Sequence, residues 1–306
     1  MNTGYASHES ITMDENMETK ITALGCWQSS VSIEPLGGGM TNHNFKVTDA
    51  GEQFVVRLGA DDPVHLISRA NENAVCRAAF EIGTSPELVY TEPGVLVVRF
   101  IEGKVFEEAD VRIEGNLDQI IKLLGRFHRL MPRHFHQVPV MFWVFQVLHH
   151  YQYLLKQGNS PYRERLIELA EIGTSLEQAV GKVDIVFGHN DLLAANFIDD
   201  GDKLWLIDFD YAGFNSPLFD LSNLASNNEL SKEQEITMLE NYFGTAFNRE
   251  QWRSYYAMKC ASLLRETLWS MVSEIHSVLE MDFPEYTRKN LVRFEQAYTT
   301  FQHNYF

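Results

Sequence analysis

Gly188-His189-Asn190-Asp191-Leu192-Leu193-Ala194-Ala195-Asn196-Phe197, followed by Leu206-Ile207-Asp208-Phe209-Asp210, decides how this chain is read. Between the two halves lies Asp199-Asp200-Gly201-Asp202, a run of tight-turn residues. Such a turn folds its flanks into a hairpin. The open end then gathers Asp191, Asn196 and Asp208. Three such oxygen-bearing groups suit a hard cation such as Mg²⁺, which shares itself with substrate phosphates. One Asp is left to face a hydroxyl as base or orienter. A phosphoryl group in transfer spreads negative charge over its oxygens, and a bound metal offsets that charge. A lone aspartate is ordinarily a solvated turn acid. His-x-Asp-x4-Asn, a turn and Ile-Asp-Phe together argue for chemistry.

Upstream, the pattern is strand-like. Val31-Ser32-Ile33 alternates, Gly37-Gly38-Gly39 follows, then come Asn44 to Val47 and Phe54 to Leu58. The spacing of Leu66, Ile67, Ala70, Ala74, Ala78 and Ile82 predicts a helix over 63–82, ended by Gly83. A further short helix is expected over 17–27, and two more strands over 88–90 and 95–100. Beyond Gly103 helices dominate: 117–130, 140–156, 163–180, 232–242 and 249–277, interrupted by one β-island between Asp184 and Phe209. The expected organisation is α+β: an acidic tail over 1–16, a strand-rich lobe over 17–101 and a helical lobe over 102–306.

Composition narrows the function. The 306 residues carry 25 Lys plus Arg against 42 Asp plus Glu, a formal net charge of -17. So acidic a surface repels nucleic acid and anionic membranes, so neither is an expected partner. No apolar run reaches the ~20 residues that span a bilayer. Cys26, Cys76 and Cys260 are dispersed and form no CxxC pair, which argues against a disulfide framework or zinc site. The polar, acidic start does not read as a signal peptide, so a cytoplasmic protein is expected. His128, His134 and His136, interspersed with Arg126, Arg129 and Arg133, read as a solvated connector between helices. No HExxH, GxSxG or GxxxxGK[ST] signature occurs.

The motifs His189-Asn190-Asp191 with Asn196, Ile207-Asp208-Phe209-Asp210-Tyr211, Leu218-Phe219-Asp220-Leu221, Gly38-Gly39-Met40-Thr41-Asn42 and Leu268-Trp269-Ser270-Met271-Val272 give the chain a family likeness. It resembles the choline/ethanolamine kinases, a branch of the aminoglycoside-phosphotransferase superfamily with a bilobal, protein-kinase-like fold. The resemblance covers almost everything after Ser29. It implies that ATP and Mg²⁺ sit between the lobes. It implies Asp191 as catalytic base or hydroxyl orienter, and Asn196 and Asp208 as metal ligands. Gly38, Gly39, Thr41 and Asn42 would cover the nucleotide phosphates, and Arg57, paired with Glu72, would replace the usual strand lysine. Arg99 to Ile101 would be the hinge whose backbone meets adenine. Asp220 would support the catalytic loop from beneath.

The acceptor has to be argued apart from the donor. A quaternary ammonium offers no conventional N–H donor, so aromatic faces and carboxylates recognise it. Glu266 and Trp269 stand three apart and share a helix face, and Tyr211 adds a third candidate contact. The resemblance places a second tryptophan, in animal-type choline kinases, where this chain has Glu266. Formal charge is expected to replace a ring face there. The expected partner is a small cationic alcohol, choline or ethanolamine, and the residues do not choose decisively between them. An aminoglycoside or other amino-alcohol phosphotransferase, or a non-catalytic kinase-fold binding module, remains the alternative.

Overall fold

The computed structural model describes residues 14–37, 42–277 and 281–305. Helix α1 (Glu15–Thr22) begins where the Asp14 carboxylate accepts the Met17 N–H at 2.7 Å. It ends sooner than the expected 27 because the chain turns back, with the Trp27 indole donating to the Ile21 carbonyl at 2.6 Å.

Five strands follow: β1 (Ser32–Leu36), β2 (His43–Asp49), β3 (Glu52–Leu58), β4 (Leu88–Glu92) and β5 (Val95–Arg99). They form one antiparallel sheet in the order β1-β2-β3-β5-β4. Pro35 donates nothing to a ladder, and it is tolerated because β1 is an edge. Phe45, Val47, Val56 and Val97 turn to one face and are buried under Ile21 of α1. Each such side chain stabilises the sheet by about 1.5–3 kcal/mol.

Helix α2 (Arg69–Glu81) starts six residues later than the apolar spacing predicts. Asp62 and Ile67 exchange backbone hydrogen bonds at 2.8 and 3.0 Å, and the Asp62 carboxylate accepts the N–H groups of Val64 and His65. Leu66 takes a positive φ of 63° and is exposed, so it does not belong to the helix stripe. Local side-chain bonds to the backbone outcompete helix propagation there. Ser68 then caps α2.

The rest of the chain is mainly helical: β6 (Lys104–Val105), α3 (Glu108–Val111), α4 (Glu114–His134), α5 (Val144–Gln157), α6 (Leu166–Val180), β7 (Val186–Gly188), β8 (Phe197–Asp199), β9 (Leu204–Leu206), β10 (Gly213–Asn215), α7 (Pro217–Asn227), α8 (Lys232–Phe243), α9 (Arg249–His276) and α10 (Phe283–Tyr305). The class is α+β, as expected, with the protein-kinase-like arrangement of an antiparallel sheet followed by helices. Helix α9 is the axis, packed against α5, α6, α7 and α10, and its residues from Tyr255 to Ser273 are largely buried.

Pro217 opens α7 at its first turn, with Ser216 as the cap. Two further elements differ from expectation. Helix α10 carries no signal strong enough to have been expected, because its apolar residues are interleaved with charges. His128 is not in a solvated connector. It lies within α4, buried, between the Asp220 carboxylate at 2.8 Å and the Tyr242 hydroxyl at 2.6 Å. Among the described residues no helix is long and apolar enough to cross a membrane.

Candidate active site

The 188–197 segment is held from beneath by α7. The Asp220 carboxylate accepts the backbone N–H groups of His189 and Asn190, each at 2.7 Å, as well as His128. Burial alone would raise the Asp220 pKa, but His128 and these bonds together hold it below the usual carboxylate range. Asn223 Oδ1 accepts the Leu192 N–H at 2.6 Å, and Asn228 Nδ2 donates to the Leu192 carbonyl at 3.2 Å. A Cβ on Gly188 would lie 2.9 Å from Asn190 Oδ1 and 3.2 Å from Asp220 Oδ2, so glycine lets the segment settle onto that carboxylate.

Two residues here take left-handed backbone. Asn190 and Asp208 both take φ of 67°. That conformation costs roughly 1–2 kcal/mol per residue outside glycine. The Asn190 side chain offsets it by donating to the Tyr211 and Gly213 carbonyls at 3.0 and 3.2 Å. Phe209 is anchored between Phe127, stacked at 5.7 Å, and His189 at 5.3 Å.

The β8–β9 hairpin pairs Phe197 with Leu206, and the Ile207 N–H continues to the Asn196 carbonyl at 3.0 Å. That register sets Asn196 beside the Ile207-Asp208 bend. Asn196 Nδ2 donates to the Asp191 carbonyl at 2.8 Å, which turns its amide oxygen to the remaining side. Asp191, Asn196 and Asp208 are thus gathered by one hairpin and one side-chain bond.

Behind Asp208 stands an ion-pair network. Arg57 on β3 pairs with Glu72 on α2 and reaches Asp208 and Asp210, both at 3.1 Å. Arg69, one turn before Glu72, reaches Glu72 at 2.5 Å and Asp210 at 2.6 Å, and donates to Asn42 Oδ1 at 2.7 Å. Burial would raise Asp210, yet the two guanidinium groups hold it below the usual range. Glu72, Asp208 and Asp210 each bring an oxygen within 4.8 Å of the others. Asp208 is the open member, its side chain 27% accessible against 1% for Glu72 and 6% for Asp210. The all-oxygen set of Asp208 with the Asn196 amide fits a hard divalent cation.

An aromatic cluster packs around Trp269 of α9. Trp269 on α9 donates from its indole to the Tyr211 hydroxyl at 3.1 Å. His65, from the turn before α2, packs on Trp269 with ring centroids 4.9 Å apart, and Tyr286 meets Trp269 edge-on at 6.3 Å. Glu266 is engaged within the protein. Its two oxygens take Arg265 Nη1 at 2.9 Å and the Tyr286 hydroxyl at 2.7 Å. The Arg265 guanidinium lies 4.3 Å over the Tyr211 ring. Asp191 is half-buried and densely enclosed. Burial pushes its carboxyl up to about 7; Arg265 opposes this, while Glu266, Asp208 and Asp210 add to it.

The remaining expected residues are placed as follows. Gly38, Gly39 and Thr41 lie outside the described residues, whereas Asn42 is described and buried. The Arg99 side chain is held by Glu52 and Glu87. The N–H groups of Arg99 and Phe100 donate to the Glu87 and Gln53 carbonyls at 2.9 and 3.0 Å, so those two hinge donors are engaged within the protein. Ile101 follows them, half-buried. Sequence reasoning missed Arg69, Asp210, His65 and Arg265 as site residues. Two carried a signal: Arg69 precedes Glu72 by three on one helix face, and Arg265 opens the polar Arg265-Glu266-Thr267 step between the apolar pairs Leu263-Leu264 and Leu268-Trp269.

A sequence model of choline/ethanolamine kinases matches residues 33–260. Protein LicA of Haemophilus influenzae is 26% identical over 272 residues, covering 86% of this chain and 79% of that protein. A probable ethanolamine kinase of Arabidopsis thaliana is 25% identical over 296 residues, covering 84% and 77%. The crystal structure of a choline/ethanolamine kinase family protein from Mesorhizobium loti superposes with a TM-score of 0.73 at 25% identity, covering 92% of this chain and 93% of that one. This chain therefore belongs to the choline/ethanolamine kinase family, phosphotransferases acting on an alcohol acceptor.

Proposed function

We propose that the chain transfers the γ-phosphoryl group of ATP to the hydroxyl of a small ammonium-bearing alcohol, choline or ethanolamine. The observation that supports this is the position of Asp191. It is close enough to feel the Asp208 and Asp210 acids and also Arg265 and Glu266 of α9, the helix that carries Trp269 with Tyr211 and Tyr286 packed on it. The two acids suit polyphosphate and metal, the rings with Glu266 an organic cation. Relatives bearing both acceptor names are similar to this chain, so the family alone does not divide the two.

In this reading Asp191 accepts the acceptor's hydroxyl proton as the O–P bond forms and the bond to the departing ADP oxygen breaks. A raised pKa makes its carboxylate a better proton acceptor than an ordinary exposed aspartate. Asp208 and Asn196 would hold Mg²⁺, which when bound offsets charge on the phosphates. Arg57 is held by Glu72 in a fixed orientation, ready for phosphate oxygens. Gly38 to Asn42 would cover the phosphates, and the backbone at Ile101 would meet the adenine edge. Asp220 keeps the Asp191 segment in place through its two backbone bonds.

The test is an ADP-release assay of the full chain with Mg–ATP and a panel of choline, ethanolamine and an aminoglycoside. Turnover with choline or ethanolamine is expected. Turnover with the aminoglycoside alone would overturn the acceptor. Absence of both turnover and Mg²⁺-dependent nucleotide binding by calorimetry would overturn the kinase reading.

A further inference from the structure

Arg265 is 2% exposed, in the middle of the buried axis helix. Such a charge is retained at a cost unless all its donors are satisfied. One is: Nη1 donates to Glu266. Nε and Nη2 have no hydrogen-bond partner among the described residues. The Tyr151 hydroxyl and His65 Nδ1, both buried, share that condition. These orphaned atoms belong to one packed cluster. His65 packs against both Tyr151, at 5.9 Å, and Trp269, while Arg265 lies over Tyr211, to which Trp269 is bonded. Arg265 is also the chief positive charge acting on Asp191.

A choline molecule satisfies none of this. Its trimethylammonium offers no acceptor, and its one hydroxyl must face Asp191. Two adjacent N–H groups of a guanidinium form a fork that matches a carboxylate's two oxygens. Next to the fork, each Glu266 oxygen accepts one bond and keeps a second lone pair for an ammonium. The cluster therefore offers a site for an anion and a site for a cation side by side, with Asp191 nearby.

We infer that this acceptor site also takes amino alcohols that carry a carboxylate, with the acid on Arg265 Nε and Nη2 and the ammonium on Glu266. The inference rests on the phosphotransferase reading of Asp191 and extends its acceptor class. The reaction balances as before: the hydroxyl oxygen bonds to the γ-phosphorus, the bond to the ADP oxygen breaks, and the hydroxyl proton passes to Asp191. Arg265 acts as a specificity-determining residue, since it touches the acceptor away from the reacting atoms.

The experiment uses matched acceptors that differ only by the carboxylate: L-serine against ethanolamine, and L-homoserine against 3-aminopropan-1-ol. ADP release is measured with the full chain and Mg–ATP, and kcat/KM is read as a ratio within each pair. At least one pair is expected to favour its carboxylated member by tenfold or more. In Arg265→Gln that ratio is expected to fall at least 30-fold, and a general folding defect would leave it unmoved. A ratio below ten in both pairs of the unmodified chain overturns the inference, as does a fall smaller than 30-fold in Arg265→Gln. Turnover of ethanolamine without turnover of either acid defeats the inference alone. No turnover with any of the four, and no Mg–ATP binding, defeats the phosphotransferase reading beneath it.

Discussion

Arg69, the first residue of α2, donates to Asp210 at 2.6 Å across 141 residues of sequence. The contact ties the helix beneath the sheet to the strained bend that carries Asp208. Its neighbours, Arg57, Glu72 and Asn42, close the network so that two guanidinium groups face three carboxylates.

Removing one partner from such a network leaves the others buried and uncompensated. Arg69→Met is expected to destabilise the chain by about 3–5 kcal/mol. Urea unfolding monitored by tryptophan fluorescence measures this. A loss under 1 kcal/mol would show that the network is not buried in solution.

Asp191 is the site's strained acid in the electrostatic sense. Its folded pKa of about 7 lies above its ordinary value of 3.8. The group therefore favours folding below pH 3.8, and that contribution is lost as pH rises through 7. At pH 8 the folded chain carries a carboxylate it would rather protonate. Asp191→Asn is expected to raise stability at pH 8 by roughly 1–3 kcal/mol relative to pH 4. The same change is expected to cut kcat by roughly 10²–10⁴-fold while leaving nucleotide affinity intact. Equal stability at both pH values would contradict the electrostatic account, and retained turnover would contradict the role of Asp191.

His65 gives the opposite sign. Burial lowers its pKa from 6.5 to about 4, with Asp62 opposing the shift and Arg265 reinforcing it. The unfolded chain binds a proton below pH 6.5 that the folded chain refuses until about pH 4. Its contribution to stability is present above 6.5 and is lost as pH falls towards 4. The loss is of order 1–3 kcal/mol. Urea midpoints between pH 4.5 and 7.5 would fall with acidity in the native chain, and His65→Gln is expected to flatten that slope. An unchanged slope would mean that other groups carry it.

The local arrangement of residues 188–210 was legible because they are close in sequence. His189, Asp191 and Asn196 are set by one short loop, and Asp199 to Asp202 set the hairpin that brings Asp208 back to them. Strand alternation in β2 and β3 was legible for the same reason, since a period of two needs only neighbours. The start of α2 was not. Apolar spacing over 63–68 fits a helix, and only the Asp62 side chain, bonding to its own backbone, says otherwise.

The residue types and order alone determined a strand-rich lobe followed by a helical one, the acid–amide–acid set of Asp191, Asn196 and Asp208, and the family likeness. Tertiary packing decided what those groups meet. Glu266 is as charged in the sequence as in the fold, but only the approach of Arg265 and Tyr286 turns it from a free anion into a paired one. His128 becomes a buried link to Asp220, and His65 a lid on Trp269, because helices far apart in sequence converge on α9 and α7. Periodicity records which face of an element is apolar; a buried charge records its partner only once the chain has closed around it.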